Sequence, residues 1–208
     1  METEIIISAI VTLLVTIDPA GLAPLFLGVT TGMTRQQRRA VALRASLIAA
    51  GIMIVFALAG SAILAMFGIT LAAFRVAGGL LLFWIAFEMI FEKRQERHEN
   101  AAERAISDDR ARSVAVFPLA IPLIAGPGAI SAVILLSTEF SGPIERSGLI
   151  GIVLAIITLT YTVFLLADRV DQLLGETGRS VLTRLLGVIL SALAVQFVAD
   201  GIKTLAAA

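Results

Sequence analysis

Long apolar runs separated by short islands of charge constrain this chain more than any other feature. A run of about 18 or more apolar residues can cross a hydrocarbon core roughly 30 Å thick as a helix. Six such runs are present, near Ile5–Val29, Val41–Phe67, Leu71–Phe91, Val114–Thr138, Leu149–Ala167 and Leu185–Leu205. The hydrophobic share is 58%, against about 45–50% in a soluble domain. The expected fold class is all-α and integral to the membrane, with six transmembrane helices. No stretch remains for a second, soluble domain.

The charges then give an orientation. Thirteen of the sixteen Lys and Arg residues fall on the loops after spans one, three and five and on their flanks. These include Arg35, Arg38, Arg39, Arg44, Arg94, Arg104, Arg169 and Arg184. Only Arg75, Arg146 and Lys203 fall on the other side. Basic residues stay in the cytoplasm, so both termini are expected outside it, in the periplasm of a bacterial inner membrane. Met1-Glu2-Thr3-Glu4 is not the basic opening of a secretory signal, so the first span is expected to be retained. A formal net charge of zero gives no reason to expect nucleic acid, and the absence of cysteine removes thiolate and disulfide chemistry.

The sequence also matches itself. Pro19 and Pro127 are 108 residues apart, in Asp18-Pro19-Ala20-Gly21 and Gly126-Pro127-Gly128-Ala129. Arg75 and Arg184 are 109 apart, as are Gly78 and Gly187. Two independent landmarks agree on one period to within a residue. Each repeat holds three spans, an odd number, so the second copy must cross the bilayer in the opposite sense. The expected organisation is two inverted three-helix repeats, 1–92 and 113–208, joined by a cytoplasmic linker over 93–112 in which acidic and basic residues alternate. Inverted repeats of this kind are an architecture of secondary transporters.

Spans one and four carry helix breakers near their middles. Two prolines and a glycine fall within Asp18–Pro24, and Pro118, Pro122, Gly126, Pro127 and Gly128 crowd the fourth span. Proline removes a helical hydrogen bond and clashes with the preceding turn. Groups freed in lipid must face protein or a wet cavity, so the breaks are expected to face the interior and to meet across the pseudo-twofold axis. Paired interruptions at corresponding positions point to a transporter binding site; proline kinks that only shape packing are the bland alternative. Asp18 is a carboxylate placed where insertion costs roughly 2.5–3.5 kcal/mol. It either contacts substrate or caps the helix that restarts at Pro19, and the two roles are compatible. The candidate binding residues are therefore Asp18, Pro19, Ala20 and Gly21 with Ala125, Gly126, Pro127 and Gly128. Gln196 is a candidate for polar support within the bundle.

Arg75 with Asp200, and Glu88 with Arg184, fall at matching ends of spans three and six and are expected to pair or to snorkel. Phe83, Trp84 and Phe87 are expected to pack or to face lipid. His98, the one histidine, sits in the linker; a single histidine makes no metal site without further ligands. No cofactor and no metal are expected. An enzyme would need a nucleophile with a base, or a bound metal, and the spans offer no histidine, no cysteine and no Gly-x-Ser-x-Gly.

Three stretches carry a resemblance to a known family. They are Asp18-Pro19-x-Gly21-x-x-Pro24-x-Phe26, the run from Phe117-Pro118 through Ala129-Ile130, and Ala194-Val195-Gln196-Phe197-x-x-x-Gly201. Together the chain resembles the MarC family of six-span membrane proteins over nearly its whole length, with no departure in the two break motifs. The family is grouped with amino-acid exporters. The resemblance implies a secondary transporter of small neutral amino acids such as glycine and alanine, with proton coupling and a substrate bound at the midplane. An exporter of another small metabolite, or a membrane protein without transport activity, is the alternative. The partners implied are a small-molecule substrate, lipid and protons.

Overall fold

The computed structural model describes residues 2–91, 114–140 and 142–207. The linker 93–112, with His98, lies outside the described residues. Those described are helical throughout, with no strand. The helices are α1 (Glu2–Ile17), α2 (Pro19–Val29), α3 (Arg35–Met66), α4 (Leu71–Ile90), α5 (Ala115–Ile124), α6 (Pro127–Ser137), α7 (Pro143–Leu165) and α8 (Ala167–Ala206). Five stretches are long and apolar enough to cross a bilayer: Thr3–Val29, Arg35–Met66, Leu71–Ile90, Pro143–Leu165 and Ser180–Ala206. α5 and α6 meet at 55°, and as one bent span they make a sixth.

Local chemistry sets the helix ends. Thr34 and Gln37 form a reciprocal cap on α3: the Gln37 amide donates to Thr34 Oγ1, and the Thr34 amide donates to Gln37 Oε1 at 2.8 Å. α3 consequently starts six residues before its apolar run, and its first turn carries Arg35, Arg38 and Arg39. At 1.5 Å per residue its length is about 48 Å, so it projects beyond the hydrocarbon. Thr70 caps α4 through the Ala73 amide at 3.2 Å. Pro143 opens α7 with Glu145 accepting from the Gly142 amide at 2.9 Å, which carries that helix six residues beyond the apolar run. α8 begins at Ala167 and bends at Gly175, whose φ of 60° suits a residue without a side chain.

Packing does not follow chain order. α4 lies chiefly against α8, and scarcely touches α3, its neighbour in sequence. α3 packs on α5, α6 and α7, while α1 and α2 pack on α6, α7 and α8. Glycines let α4 and α8 approach closely. A Cβ at Gly79 would lie 2.9 Å from the Ala194 carbonyl oxygen; one at Gly201 would lie 3.0 Å from the Ala72 carbonyl oxygen and the Val76 nitrogen. One at Gly187 would lie 3.0 Å from Met89 Cβ. Small residues at helix contacts are how membrane helices gain dispersion energy, since lipid supplies no hydrophobic force between them.

Leu13, Ile17, Leu22, Leu82, Met89, Leu119 and Leu135 fill the interior. Leu47, Val55, Leu80, Trp84, Leu185 and Val188 are exposed on the perimeter, as expected of a surface solvated by lipid. Buried Thr30 and Thr160 satisfy their hydroxyls on their own helices: Thr30 Oγ1 donates to the Phe26 carbonyl at 2.6 Å and Thr160 Oγ1 to the Ile156 carbonyl at 2.8 Å.

Leucine at Gly79 or Gly201 is expected to destabilise the protein by about 1–3 kcal/mol or more, because backbone rather than a flexible side chain blocks the new atoms. Leucine at Gly51, which is exposed on α3 with nothing within 4 Å of an added Cβ, is expected to be neutral or mildly stabilising. Thermal unfolding of the three variants in detergent, followed by Trp84 fluorescence, checks this.

Candidate functional site

At the first interruption only one residue leaves helical geometry. Asp18 takes the left-handed conformation (φ 53°, ψ 66°), which aspartate tolerates better than most side chains. Its carboxylate turns back over the next turn, and Oδ1 accepts from the Gly21 amide at 3.1 Å. Pro19 occupies the first helical position, where its missing N–H costs nothing. Hydrogen bonds continue on both sides, from the Asp18 amide to the Leu14 carbonyl at 2.9 Å and from the Leu22 amide to the Asp18 carbonyl at 3.1 Å. A Cβ at Gly21 would collide with Asp18 Oδ2, so glycine there makes room for the capping carboxylate. Asp18 is 5% exposed.

The second interruption is built differently. Phe117 and Ile121, each before a proline, have extended dihedrals inside α5. That is where proline pushes its predecessor. The Ala125 amide donates five residues back, to the Ala120 carbonyl, at 2.9 Å. The chain then turns at Ala125 and Gly126, and α6 restarts at Pro127 with no side-chain cap. A Cβ at Gly126 would strike the Pro122 carbonyl oxygen.

The two interruptions are neighbours. A Cβ at Gly128 would meet Ile85 Cδ1 from α4 and lie 3.3 Å from Thr16 Cγ2, two residues before Asp18. Asp18, Pro19, Gly21, Ala125, Gly126 and Gly128 are buried, Ala20 is half-buried and Pro127 is exposed. Pro127 therefore turns away from the interior that the sequence suggested for it, since consecutive helical residues point in different directions. The small residues here serve close packing: the space beside Gly21 is held by Asp18 and that beside Gly128 by Ile85. The interruptions are closed over one another in this conformation.

The remaining polar residues sit elsewhere. Gln196 is exposed and not directed into the bundle; its Nε2 donates to Asp200 at 2.9 and 3.0 Å, one turn further along the same face of α8. Arg75 Nη2 donates to Thr138 Oγ1 at 3.0 Å. Glu139, in the turn after α6, is pushed above the ordinary carboxylate range by burial, with Asp200 raising it further and Arg75 opposing. Glu88 is buried on α4 and accepts from Trp84 Nε1 at 3.0 Å. Trp84 is thus more than a packing residue, since its indole N–H serves a buried carboxylate.

Sequence reasoning missed three partners. Thr16 and Ile85 close over Gly128, and Phe26 stacks on Phe164 with ring centroids 4.6 Å apart and planes 6° from parallel. Phe26 was visible inside the first break motif. Phe164 had no signal, because only the fold brings α7 to α2.

Residues 3–206 match the family described as MarC family integral membrane protein. The chain belongs to the MarC family. Its curated relatives include a UPF0056 membrane protein of Methanocaldococcus jannaschii, 35% identical over 98% of both chains. The UPF0056 membrane protein YvbG of Bacillus subtilis is 33% identical over 98% of this chain and 96% of its own. YhcE of Escherichia coli is 35% identical over 90% and 86%. These names state a membrane protein and give no activity. No solved structure matches this MarC chain. Its two break motifs lie within the matched residues.

Substituting Asp18 separates its roles in this MarC protein. Asp18→Asn, which keeps an acceptor and tolerates the left-handed conformation, is expected to stay near wild-type stability. Asp18→Ala is expected to lose about 1–2 kcal/mol, through the missing cap and a less tolerated backbone. Equal melting temperatures for all three proteins would show that the Asp18–Gly21 bond carries no weight in folding.

Proposed function

We propose that this MarC protein is a secondary transporter of small neutral amino acids, glycine- and alanine-like, coupled to protons. The contact of the two buried interruptions, Gly128 against Thr16, carries the reading. Interruptions in both halves of a transporter are where substrate meets helix ends. The two ends here differ in charge. The α2 end already carries the Asp18 carboxylate, while the α6 end has no side-chain cap. A zwitterion suits that difference: its carboxylate takes the N–H groups at the start of α6, and its ammonium faces Asp18. Tight surroundings favour the smallest amino acids. Ile85 fills the approach to Gly128, so substrate entry requires α4 to shift or Ile85 to change rotamer.

The reading includes an inverted repeat over 1–92 and 113–208, with Asp18 as the proton-carrying group. Its support is the sequence period together with the packing, in which α4 lies on α8, α3 on α7 and α1 on α6. Each pair joins corresponding spans of the two halves. Rocking of one half against the other then alternates access. The Lys and Arg asymmetry supports both termini outside the cytoplasm, in a plasma membrane.

The decisive experiment is counterflow of labelled glycine and alanine in proteoliposomes, with and without a pH gradient. Wild type is expected to exchange both and to respond to the gradient. Gly128→Leu is expected to fall to background while remaining folded. Asp18→Asn is expected to lose at least about tenfold, roughly the worth of 1.4 kcal/mol, and to change its pH dependence. Wild-type protein that moves neither amino acid under either condition overturns the proposal.

Orientation has its own test, simplified by a chain without cysteine. Single cysteines at positions 2 and 203 are expected to react with an impermeant maleimide added outside cells, and one at position 36 only after lysis. External labelling at position 36 would reverse the orientation.

A further inference from the structure

A cavity of about 610 Å³ opens at the arginine-rich end of the molecule. It lies between the first turn of α3 and the corner joining α7 to α8. The stacked rings of Phe26 and Phe164, both buried, lie at its apolar end. Phe26 is eight residues along α2 from Asp18, about 12 Å at helical rise, so the cavity is separate from the interruptions. Its size is within the roughly 300–1,000 Å³ usual for small-molecule sites.

Its charge is one-sided. Arg35, Arg38, Arg39 and Arg169 line it, and Asp168 is the one acidic group among the described lining side chains. Arg35, Arg38 and Arg39 stand three and four apart on one helix, close enough to repel. The start of α3 adds its own partial positive charge. Asp168 offsets only part of this charge: its Oδ1 forms an ion pair with Arg38 Nη1 at 3.6 Å, with the carboxylate side chain 72% exposed. Arg38 Nε is buried without a hydrogen-bond partner. A buried donor left unmet costs free energy that a bound acceptor would return.

Orientation of the chain in the membrane does not account for this arrangement. The preference for basic residues on one side counts charges along loops and is met wherever they stand. It does not require four guanidiniums from two distant segments to converge on one concavity. Convergent arginines over low-dielectric walls concentrate positive potential, and the planar guanidinium fork matches phosphate oxygens two at a time.

The geometry points to a binding site for a phosphate-bearing anion in this cavity, with Arg35, Arg38, Arg39 and Arg169 holding the phosphate and the Phe26–Phe164 stack bounding it. The phosphate comes either from a soluble anion or from the headgroup of an anionic lipid at the membrane surface. The inference does not depend on which substrate, if any, passes the helix interruptions.

Two arms tell the sources apart. In the first, the full chain in phosphatidylcholine nanodiscs is titrated with pyrophosphate, with binding read by calorimetry. In the second, protein taken from mixed phosphatidylglycerol and phosphatidylcholine bilayers is examined by native mass spectrometry for retained lipid. Pyrophosphate binding in the first arm assigns a soluble anion, retention of phosphatidylglycerol over phosphatidylcholine in the second assigns a headgroup, and either result supports the site. Arg38→Gln/Arg39→Gln/Arg169→Gln is expected to weaken the positive arm at least about tenfold, as loss of several charge-assisted hydrogen bonds to one anion does. Arg146→Gln, a cation outside the cavity, is expected to leave it unchanged. Asp168→Asn is expected to strengthen binding by removing the competing carboxylate, a gain that misfolding cannot produce. The proposal is overturned if wild type binds neither probe, or if Asp168→Asn and the single variant Arg39→Gln both leave binding unaltered.

Discussion

Backbone hydrogen bonding inside lipid is the constraint on which the rest of this structure depends. A chain crossing hydrocarbon has no water to satisfy a freed amide or carbonyl, yet this one interrupts its helices with prolines and glycines. The two interruptions meet the requirement by different means. At Asp18 the side chain supplies the missing acceptor, and the ladder closes on both sides of a single left-handed residue. At Ala125 the backbone reaches five residues back, and the chain bends by 55° before restarting. The first solution needs a carboxylate in the membrane and the second needs an extended, proline-directed turn. The interior accordingly holds polar groups, with Thr12, Thr16, Asp18, Ser46 and Ser131 buried among aliphatic side chains.

Close approach is the second requirement. Without a hydrophobic force between helices, stability in lipid comes from dispersion contacts and internal hydrogen bonds. Gly79 and Gly201 bring backbone against backbone between α4 and α8, and the spaces beside Gly21 and Gly128 are filled by Asp18 and Ile85. A site closed by flexible side chains can open through rotamer changes. An interface closed by backbone opens only if whole helices move. The contrast places the rigid seam between α4 and α8 and the adaptable contacts around Gly21 and Gly128.

Much of this was legible in the sequence. Apolar run length identified the helices, and some boundaries agree closely: Leu71 opens α4 as expected, and Val29 closes the first span. The boundaries that moved did so because capping overrides hydropathy. Thr34 with Gln37 and Gly142 with Glu145 start α3 and α7 well before the apolar residues begin. The prolines marked both interruptions, and Asp before Pro announced the cap. Sequence could not reveal what fills the space beside each glycine, because Ile85 and Thr16 reach Gly128 from other spans. It also could not show that Pro127 faces outward, nor that Gln196 finds its partner one turn along its own helix. The arginines of α3 read only as a sign of orientation until the α7–α8 corner brought Arg169 and Asp168 opposite them.

The packing of α4 has a consequence for how the chain is made. α4 is made well before α8, yet the surface that Gly79 fits belongs to α8, while Gly78 fits Leu135 of α6. Roughly the entire second half of the protein must be synthesised before that surface exists. Until then the glycine face of α4 lies against lipid or against a helper in the insertion machinery, and α3 offers it little shelter. The first three spans are therefore a poor independent folding unit, and final assembly awaits the carboxyl-terminal helix. Such long-range closure is the slow, exposure-prone step of folding. Shortening the chain from its end would remove the partner of its most tightly packed seam, leaving the earlier spans inserted but unassembled.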